Sequence, residues 1–423
     1  MSRISLKVNT SDYDFSKLPS TWEVKTVGDL VSEQILERPL DGNHGESHPK
    51  HGDFVSSGIP FIMATDIDRG EIDLQNCKYI PLKLAKTLRK GFALEEDVLL
   101  THKATIGRTA IIGKTVFPFF MLTPQVTYYR VKNRRRLSNR FLMQYFNSPI
   151  FQEILSNYAN SGSTRDYLGI MAQLDLPIIL PDLSEQYAIA ATAGNFEEKI
   201  NLLNRQINTL ESLSGTLFRQ WFIEEAGDDW KEIMLSDIAD HIKNNMNPSR
   251  QPDQLFRHYS LPAFDGGKEP ISEVGKQILS SKYTVESNSI LISKLNPRTP
   301  RVWALYGSRE DGVGICSTEF QVLKPKIIAH FGFIYYFLKS FQVTNELANA
   351  SSGTSGSHQR VNPDDILSLN LLFPPEMKIR EFDEVTRAYL RKIGENRRQI
   401  RTLTKLRDTL VPKLMTGEVR VEM

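Results

Sequence analysis

KINLLNRQINTLESLSGTL, residues 199–217, returns at residues 392–410 as KIGENRRQIRTLTKLRDTL. Aligned without gaps, the two stretches agree at ten of nineteen positions, among them Ile200/Ile393, Ile207/Ile400, Leu210/Leu403 and Leu217/Leu410. Chance at ordinary residue frequencies gives about one match. In the first stretch Phe196, Ile200, Leu203, Ile207, Leu210, Leu217 and Trp221 fall on a heptad seam broken at Ser214. The second carries Phe382, Tyr389, Ile393, Ile400, Leu403, Leu410 and Leu414, with polar Asn396 inside the seam. Gly394 costs about 1 kcal/mol of helix propensity there, so packing has to hold this helix. Two unrelated surface helices would also be amphipathic, but the shared register favours helices that pair with each other.

The repeat reaches beyond the helices. Trp22, Val27, Asp29 and Leu30 match Trp230, Leu235, Asp237 and Ile238 at one offset. Each half then reads as mixed α/β, with short alternating runs such as Asp97-Val-Leu-Leu-Thr101 and Ser289-Ile-Leu-Ile-Ser293. Each closes on a similar phrase, Leu174-Asp-Leu-Pro-Ile-Ile-Leu-Pro181 and Leu367-Ser-Leu-Asn-Leu-Leu-Phe-Pro374, which predicts a final strand before the helix. Asp182 and Glu185 have capping-box spacing at the start of the first helix. A unit of about 200 residues is too long for a solenoid repeat, so the halves are tandem domains.

Something is therefore recognised twice. The first helix carries the chain from one domain to the next, and by the internal symmetry the second returns, so the pair is expected to be antiparallel. Residues 196–221 are 26 residues, roughly 39 Å of helix. Half-sites on one face of B-DNA lie about 34–36 Å apart, a comparable distance.

Composition excludes little. The 423 residues give room for two or three domains, 24% are charged, and the net charge is +2. Cys77 and Cys316 are the only cysteines, which suggests a reducing compartment and argues against a cysteine-based zinc site. The N-terminal MSRISLKVNTSDYDF lacks the apolar core of a signal peptide, and the longest apolar run, 327–338, is too short to span a bilayer. These features predict a cytoplasmic protein with no membrane partner.

Locally the charge is biased. From 98 to 152 there is no Asp or Glu but nine basic residues: Lys103, Arg108, Lys114, Arg130, Lys132, Arg134, Arg135, Arg136 and Arg140. A milder counterpart at 288–309 holds Lys294, Arg298, Arg301 and Arg309. One such cluster reads equally as a solvated surface. A cluster in each repeat favours nucleic acid, where Lys and Arg neutralise phosphates and release counterions.

Three other patterns carry less. Gly107-Arg-Thr-Ala-Ile-Ile-Gly113-Lys114-Thr115 has five residues between its glycines where a phosphate-binding loop requires four. His44, His48 and His51 have helical spacing for a metal, but Gly45, Pro49 and Gly52 forbid the helix, so no metal site is expected. Asp182 and Glu185 are read as capping and not as a nuclease site. Amino-methylation, dinucleotide, methyl-donor and Gly-x-Ser-x-Gly signatures are all missing from the sequence, so no catalytic residues are assigned.

The order domain, helix, domain, helix resembles the specificity subunit of type I restriction-modification systems. The likeness runs from about Leu18 to Val421 and rests on several phrases in sequence. They are Leu18-Pro-Ser-Thr-Trp22, Gly58-Ile-Pro-Phe-Ile-Met-Ala-Thr-Asp66-Ile, Lys103-Ala-Thr-Ile-Gly107-Arg and Pro181-Asp-Leu-Ser-Glu-Gln186 in the first half. Tyr259-Ser-Leu-Pro-Ala263-Phe, Ser293-Lys-Leu-Asn-Pro297, Glu319-Phe-Gln-Val-Leu-Lys-Pro-Lys326 and Leu414-Met-Thr-Gly-Glu-Val-Arg420-Val421 follow in the second.

The resemblance implies a first target-recognition domain at 1–181, a first spacer helix at 182–225, a second target-recognition domain at 226–375, and a second spacer helix with tail at 376–423. It also implies that this chain reads double-stranded DNA and is itself non-catalytic. Two modification (methyltransferase) subunits would bind S-adenosylmethionine and methylate adenine, and restriction (translocase/nuclease) subunits would use ATP and Mg. Alternatives are the targeting subunit of a methyltransferase-only system and a coiled-coil adaptor that binds no DNA. The loop Asp41-Gly-Asn-His-Gly-Glu-Ser-His48 has no counterpart near Pro262-Ala-Phe-Asp-Gly-Gly-Lys268, so the two readers differ and an asymmetric, bipartite target is expected. The candidate DNA contacts are Asn43, His44, Lys103, Arg108 and Arg165 in the first domain, and Lys294, Arg298, Arg301, Gln359 and Arg360 in the second.

Overall fold

The opening and closing phrases of each repeat are strand partners. Glu23–Thr26 pairs antiparallel with Pro177–Leu180, and Lys231–Met234 pairs in the same way with Asn370–Phe373. A short helix follows each opening strand, and the repeated aspartate explains its start. Asp29 accepts from the Thr26 N–H, and Asp237 from the Met234 N–H, both at 2.9 Å. In a computed structural model that describes residues 15–45, 48–68, 70–160, 167–307, 312–351 and 359–421, the chain forms two units. The first comprises 1–200 with 403–423, the second 201–402.

The first unit holds two four-stranded sheets. One runs Leu40–Asp41, Val126–Tyr129, Val98–Thr101, Thr109–Ile111; the other Lys78–Ile80, Ile59–Ile62, Phe120–Leu122, Phe92–Ala93. The second unit repeats the plan. Its four-stranded sheet runs Ala239–Ile242, Phe320–Pro325, Ser289–Ser293, Val302–Leu305. Its five-stranded sheet runs Asn245–Met246, Lys282–Val285, Val313–Cys316, Leu255–Tyr259, Ile271–Val274. The central strands Val98–Thr101 and Ser289–Ser293 are buried at every residue, as the apolar runs required.

The two long helices are Leu183–Arg219, 37 residues, and Glu376–Met415, 40 residues. Each gives part of its length to each unit. In the second unit they run antiparallel, because Phe218, Trp221 and Phe222 all meet Phe382 while Gln206 meets Asn396. Ile200, Leu203, Ile207 and Ile393 are buried, whereas Phe196, Leu210, Leu217, Ile400, Leu403 and Leu410 are half-buried. The gap at Ser214 is buried too, its hydroxyl returned to the Leu210 carbonyl at 2.9 Å. Asn396 is fully buried; its Nδ2 donates to Gln206 Oε1 at 3.1 Å, and its Oδ1 has no partner.

Glu211, on the first long helix, collects three cations: Lys339, Lys268 and Arg397. Burial opposes its charge, but the three cations outweigh that and hold its carboxyl below the usual range. Burial pushes Lys268 down to about 8, and attraction to Glu211 only partly offsets this and the repulsion from Lys339 and Arg397. Next to it, Glu269 pairs with Arg401 at 3.4 Å, so the turn at 265–269 is fastened to both helices.

In the first unit the end of the chain returns to its beginning. The Trp22 indole N–H donates to Glu185 Oε2 at 2.9 Å, and the Arg420 guanidinium donates to both Glu185 oxygens at 3.0 and 3.1 Å. Glu185 is thus a buried acceptor for two distant segments and not the reciprocal partner of a capping box. Gly417, at φ +70, lets the tail turn against Pro19 and Trp22; a Cβ there would stand 2.3 Å from Pro19 Cγ. Val411, Leu414 and Met415 fill the core beside Trp22, Ile178 and Ile179.

Candidate nucleic-acid interface

In each unit the central strand of the four-stranded sheet ends in a basic loop. Thr101 leads through Lys103 to Arg108 before the chain returns on Thr109–Ile111. Ser293 leads through Lys294 and Arg298 to Arg301 before Val302–Leu305. The two loops are mounted alike. The Thr101 N–H donates to the Arg108 carbonyl and the Ser293 N–H to the Arg301 carbonyl, both at 2.9 Å, so Arg108 and Arg301 are equivalent.

One residue further, the His102 N–H donates to the Gln125 carbonyl (2.9 Å) and the His102 carbonyl accepts from Leu168 N–H (3.0 Å). In the second unit Lys294 donates to the Glu319 carbonyl and accepts from Val361, both at 2.9 Å. Each loop thereby meets a segment from later in its domain in an antiparallel bridge, Lys103 with Tyr167 and Leu295 with Arg360. Ala104 (φ +67) and Asn296 (φ +51) turn the chain at the same step of both loops, a left-handed conformation that side chains adopt at a cost.

The edge strand adds a third side. In the first unit Asp41, 1% exposed, binds His44 Nε2 at 2.7 Å and also binds Lys90. In the second, Lys243 follows the edge strand Ala239–Ile242 and repels Lys294. Burial pushes the Lys294 ammonium below its ordinary range; Glu319 draws it back, while Arg360 and Lys243 push it further down. Burial likewise depresses His241 to about 4, with Lys243 and Lys294 adding to the shift. Lys243 and Arg360 thus both bear on Lys294, and the Glu319 carboxylate draws on Lys294 and Arg360.

The candidate residues fare differently. Lys103 and Arg298 are exposed on their loops. The Lys103 ammonium lies 5.6 Å from the centre of the Tyr167 ring. Arg108 donates to the Ile67 carbonyl at 3.0 Å, and Arg301 grips Asp265 through two bonds of 2.7 and 2.9 Å. Arg360 does the same with Glu319 at 2.9 and 3.2 Å. Gln359 is half-buried, with a side-chain oxygen that has no partner. Asn43 is 4% exposed and its carboxamide is committed to the backbone of a distant segment, donating to the Lys90 carbonyl and accepting from the Arg89 N–H. Arg165 lies outside the described residues, as does Arg309.

The acid-free run at 98–152 is less basic in space than in sequence. Arg130 pairs with Asp97 (2.7 Å) and Glu37 (3.3 Å), Arg136 with Glu23 (3.2 Å), and Arg134 approaches Glu96 (3.9 Å). Acids from outside the run thus pair with Arg130, Arg134 and Arg136, whereas Lys103, Lys114, Lys132, Arg135 and Arg140 stay exposed. Sequence reading missed Tyr167, Asp41, Lys243, Leu295 and Glu319. Asp41, Leu295 and Glu319 stand within phrases already singled out, but Tyr167 and Lys243 become relevant only through the chain pairing that brings them to the loops. Among the described residues no group of three or more His, Cys, Asp or Glu is placed to hold a metal, and no helix is long and apolar enough to cross a membrane.

Tandem mixed α/β domains of one topology, each with a basic loop mount and both drawing on the same two long helices, define a class of double-reader proteins. The chain is similar to the type I restriction-modification specificity subunits. The family model for the type I restriction modification DNA specificity domain matches residues 19–212. The MjaIX specificity subunit of Methanocaldococcus jannaschii is 24% identical, covering 100% of this chain and 99% of that protein. The EcoBI specificity subunit of Escherichia coli is 24% identical over 52% of this chain and 47% of its own length. In fold, the chain is similar to the crystal structure of the S subunit from M. genitalium, with a TM-score of 0.62 over 99% of both chains at 16% identity.

Proposed function

We propose that each unit reads one half of an asymmetric, bipartite DNA site, and that the long helices set the gap and dock two modification subunits. The chain performs no chemistry itself. S-adenosylmethionine for adenine methylation belongs to the modification subunits, and ATP and Mg to restriction subunits that join them. The observation that carries this reading is the repeated mount: a basic loop leaves the same strand of the same sheet in both units, held by equivalent backbone bonds. Lysine and arginine on such loops meet phosphates, while arginine and the amides also reach base edges. The edge loops differ between units, which fits two unlike half-sites.

Co-expression with the modification subunit encoded beside this chain, followed by single-molecule mapping of methylated adenines, tests the proposal. A split, asymmetric motif that vanishes when this chain is omitted is expected. Methylation absent or independent of the chain, despite soluble co-assembly, refutes it and leaves a protein-binding adaptor.

A further inference from the structure

The two mounts share a backbone but not their side chains, and this difference locates the specificity. Arg108 and Arg301 occupy equivalent places and are both arginine, each already bonded to its own domain. Identical groups at identical places cannot tell one half-site from another; they position. At the bridge the chemistry changes. The first unit has a cation on the loop and an aromatic ring on the facing segment, Lys103 and Tyr167. The second has an aliphatic side chain on the loop and a cation facing it, Leu295 and Arg360. The carbonyl neighbour changes with them, from Gln125 to Glu319.

We propose that this bridge is the base-reading head of each domain, with Tyr167 deciding the preference of one half-site while Lys103 positions it, and Arg360, beside Leu295, deciding that of the other. The inference rests on the function proposed above. In the backbone frame, the Leu168 and Val361 N–H groups and the 102 and 294 carbonyls are satisfied within the protein, so the frame sets position and the side chains set identity. Tyr167 is 42% exposed, an aromatic face left open beside an ammonium. That combination suits an apolar contact with a thymine methyl while Lys103 takes a phosphate.

Arg360 is more specific. Its Nε and Nη2 are spent on Glu319, which leaves the end-on edge formed by Nη1 and the second Nη2 hydrogen. A guanidinium edge fixed in this way matches the paired acceptors O6 and N7 of guanine. The second half-site should therefore contain a G·C pair read by Arg360, and Glu319 acts as the positioning residue that aims it.

The test uses the co-expressed complex and the methylation map, with Arg360→Ala, Arg360→Lys, Tyr167→Ala and Tyr167→Leu compared against the unaltered chain. Arg360→Ala is expected to relax one G·C position in one half by roughly tenfold to hundredfold, leaving the other half intact. Arg360→Lys, which keeps the charge but not the fork, should relax the same position while retaining salt-sensitive DNA binding. Both Tyr167 variants should relax only the opposite half, and Tyr167→Leu guards against loss of folding on removal of the ring. Unchanged motifs in folded variants, or equal loss in both halves, overturn the inference. If the unaltered chain yields a split motif and the variants keep it, only the reading head is wrong; if the unaltered chain yields none, the underlying function falls as well.

Discussion

Replacing Glu185 with alanine should unfasten the first unit. Glu185 is 9% exposed and Trp22 7%, so the indole N–H left without its acceptor has no water to turn to. A bond to a charged acceptor contributes about 1.5–3 kcal/mol net, and an orphaned buried donor costs about 1–3 kcal/mol, two descriptions of largely the same loss. The Arg420 side chain is 54% exposed, so its ion pair adds at most about 1 kcal/mol. Glu185→Ala should therefore cost ~2–4 kcal/mol. For a unit of this size that lowers the melting temperature by roughly 5–10 °C. Glu185→Gln retains a neutral acceptor for Trp22 and should lose about half as much. Scanning calorimetry separates the outcome from the second unit, to which Trp221, Trp230 and Trp303 belong. A first-unit transition within about 1 °C of the unaltered protein for Glu185→Ala refutes the reasoning.

Asn396→Leu should stabilise the helix pair by about 1–3 kcal/mol, since it removes a buried oxygen with no partner and adds apolar burial; urea denaturation showing reduced stability contradicts this. Lys268→Met should also stabilise, with a pH signature. The ammonium of Lys268 is pushed from its ordinary 10.5 to about 8, and at about 1.4 kcal/mol per pH unit its full cost is ~3 kcal/mol. Below pH 8 both folded and unfolded chains hold the proton and the cost is complete, and between about 8 and 10.5 the folded form releases it first and the cost fades. The advantage of Lys268→Met should therefore be largest near neutrality and vanish by about pH 10.5; a pH-independent gain counts against the assignment. Lys103→Ala and Arg298→Ala should each weaken DNA binding and flatten its logarithmic salt dependence by about 0.9 for every phosphate that is no longer neutralised, with melting unchanged. Equal affinity by titration at fixed salt removes that residue from the interface.

The repeat, the mixed α/β texture, the final strand of each domain and the antiparallel helices were all legible in the sequence. Each depends on local periodicity or on matched phrases such as Trp22/Trp230 and Asp29/Asp237. What was not legible depends on pairing between distant strands. Arg130 reads as a free cation until Asp97 and Glu37 arrive beside it from distant loops. Asn43 looks like a base-reading amide until the backbone at 89–90 claims both ends of it. Tyr167 gained meaning only when its segment came to lie against Lys103. Capping-box spacing at Asp182 and Glu185 described the helix start but not the use of Glu185, because Trp22 and Arg420 lie 163 and 235 residues away.

The first unit is completed by residues 403–423, whereas the second is a continuous stretch, 201–402. A chain emerging from the ribosome can therefore finish its second reader before its first. At a synthesis rate of about 5–20 residues per second, the earlier domain waits roughly 10–40 s, with the faces meant for Val411, Leu414 and Met415 uncovered. Translation that stops short of the tail leaves that domain open, however well the remainder has folded. Closure of the first reader thus depends on a segment made only after the whole of the second unit.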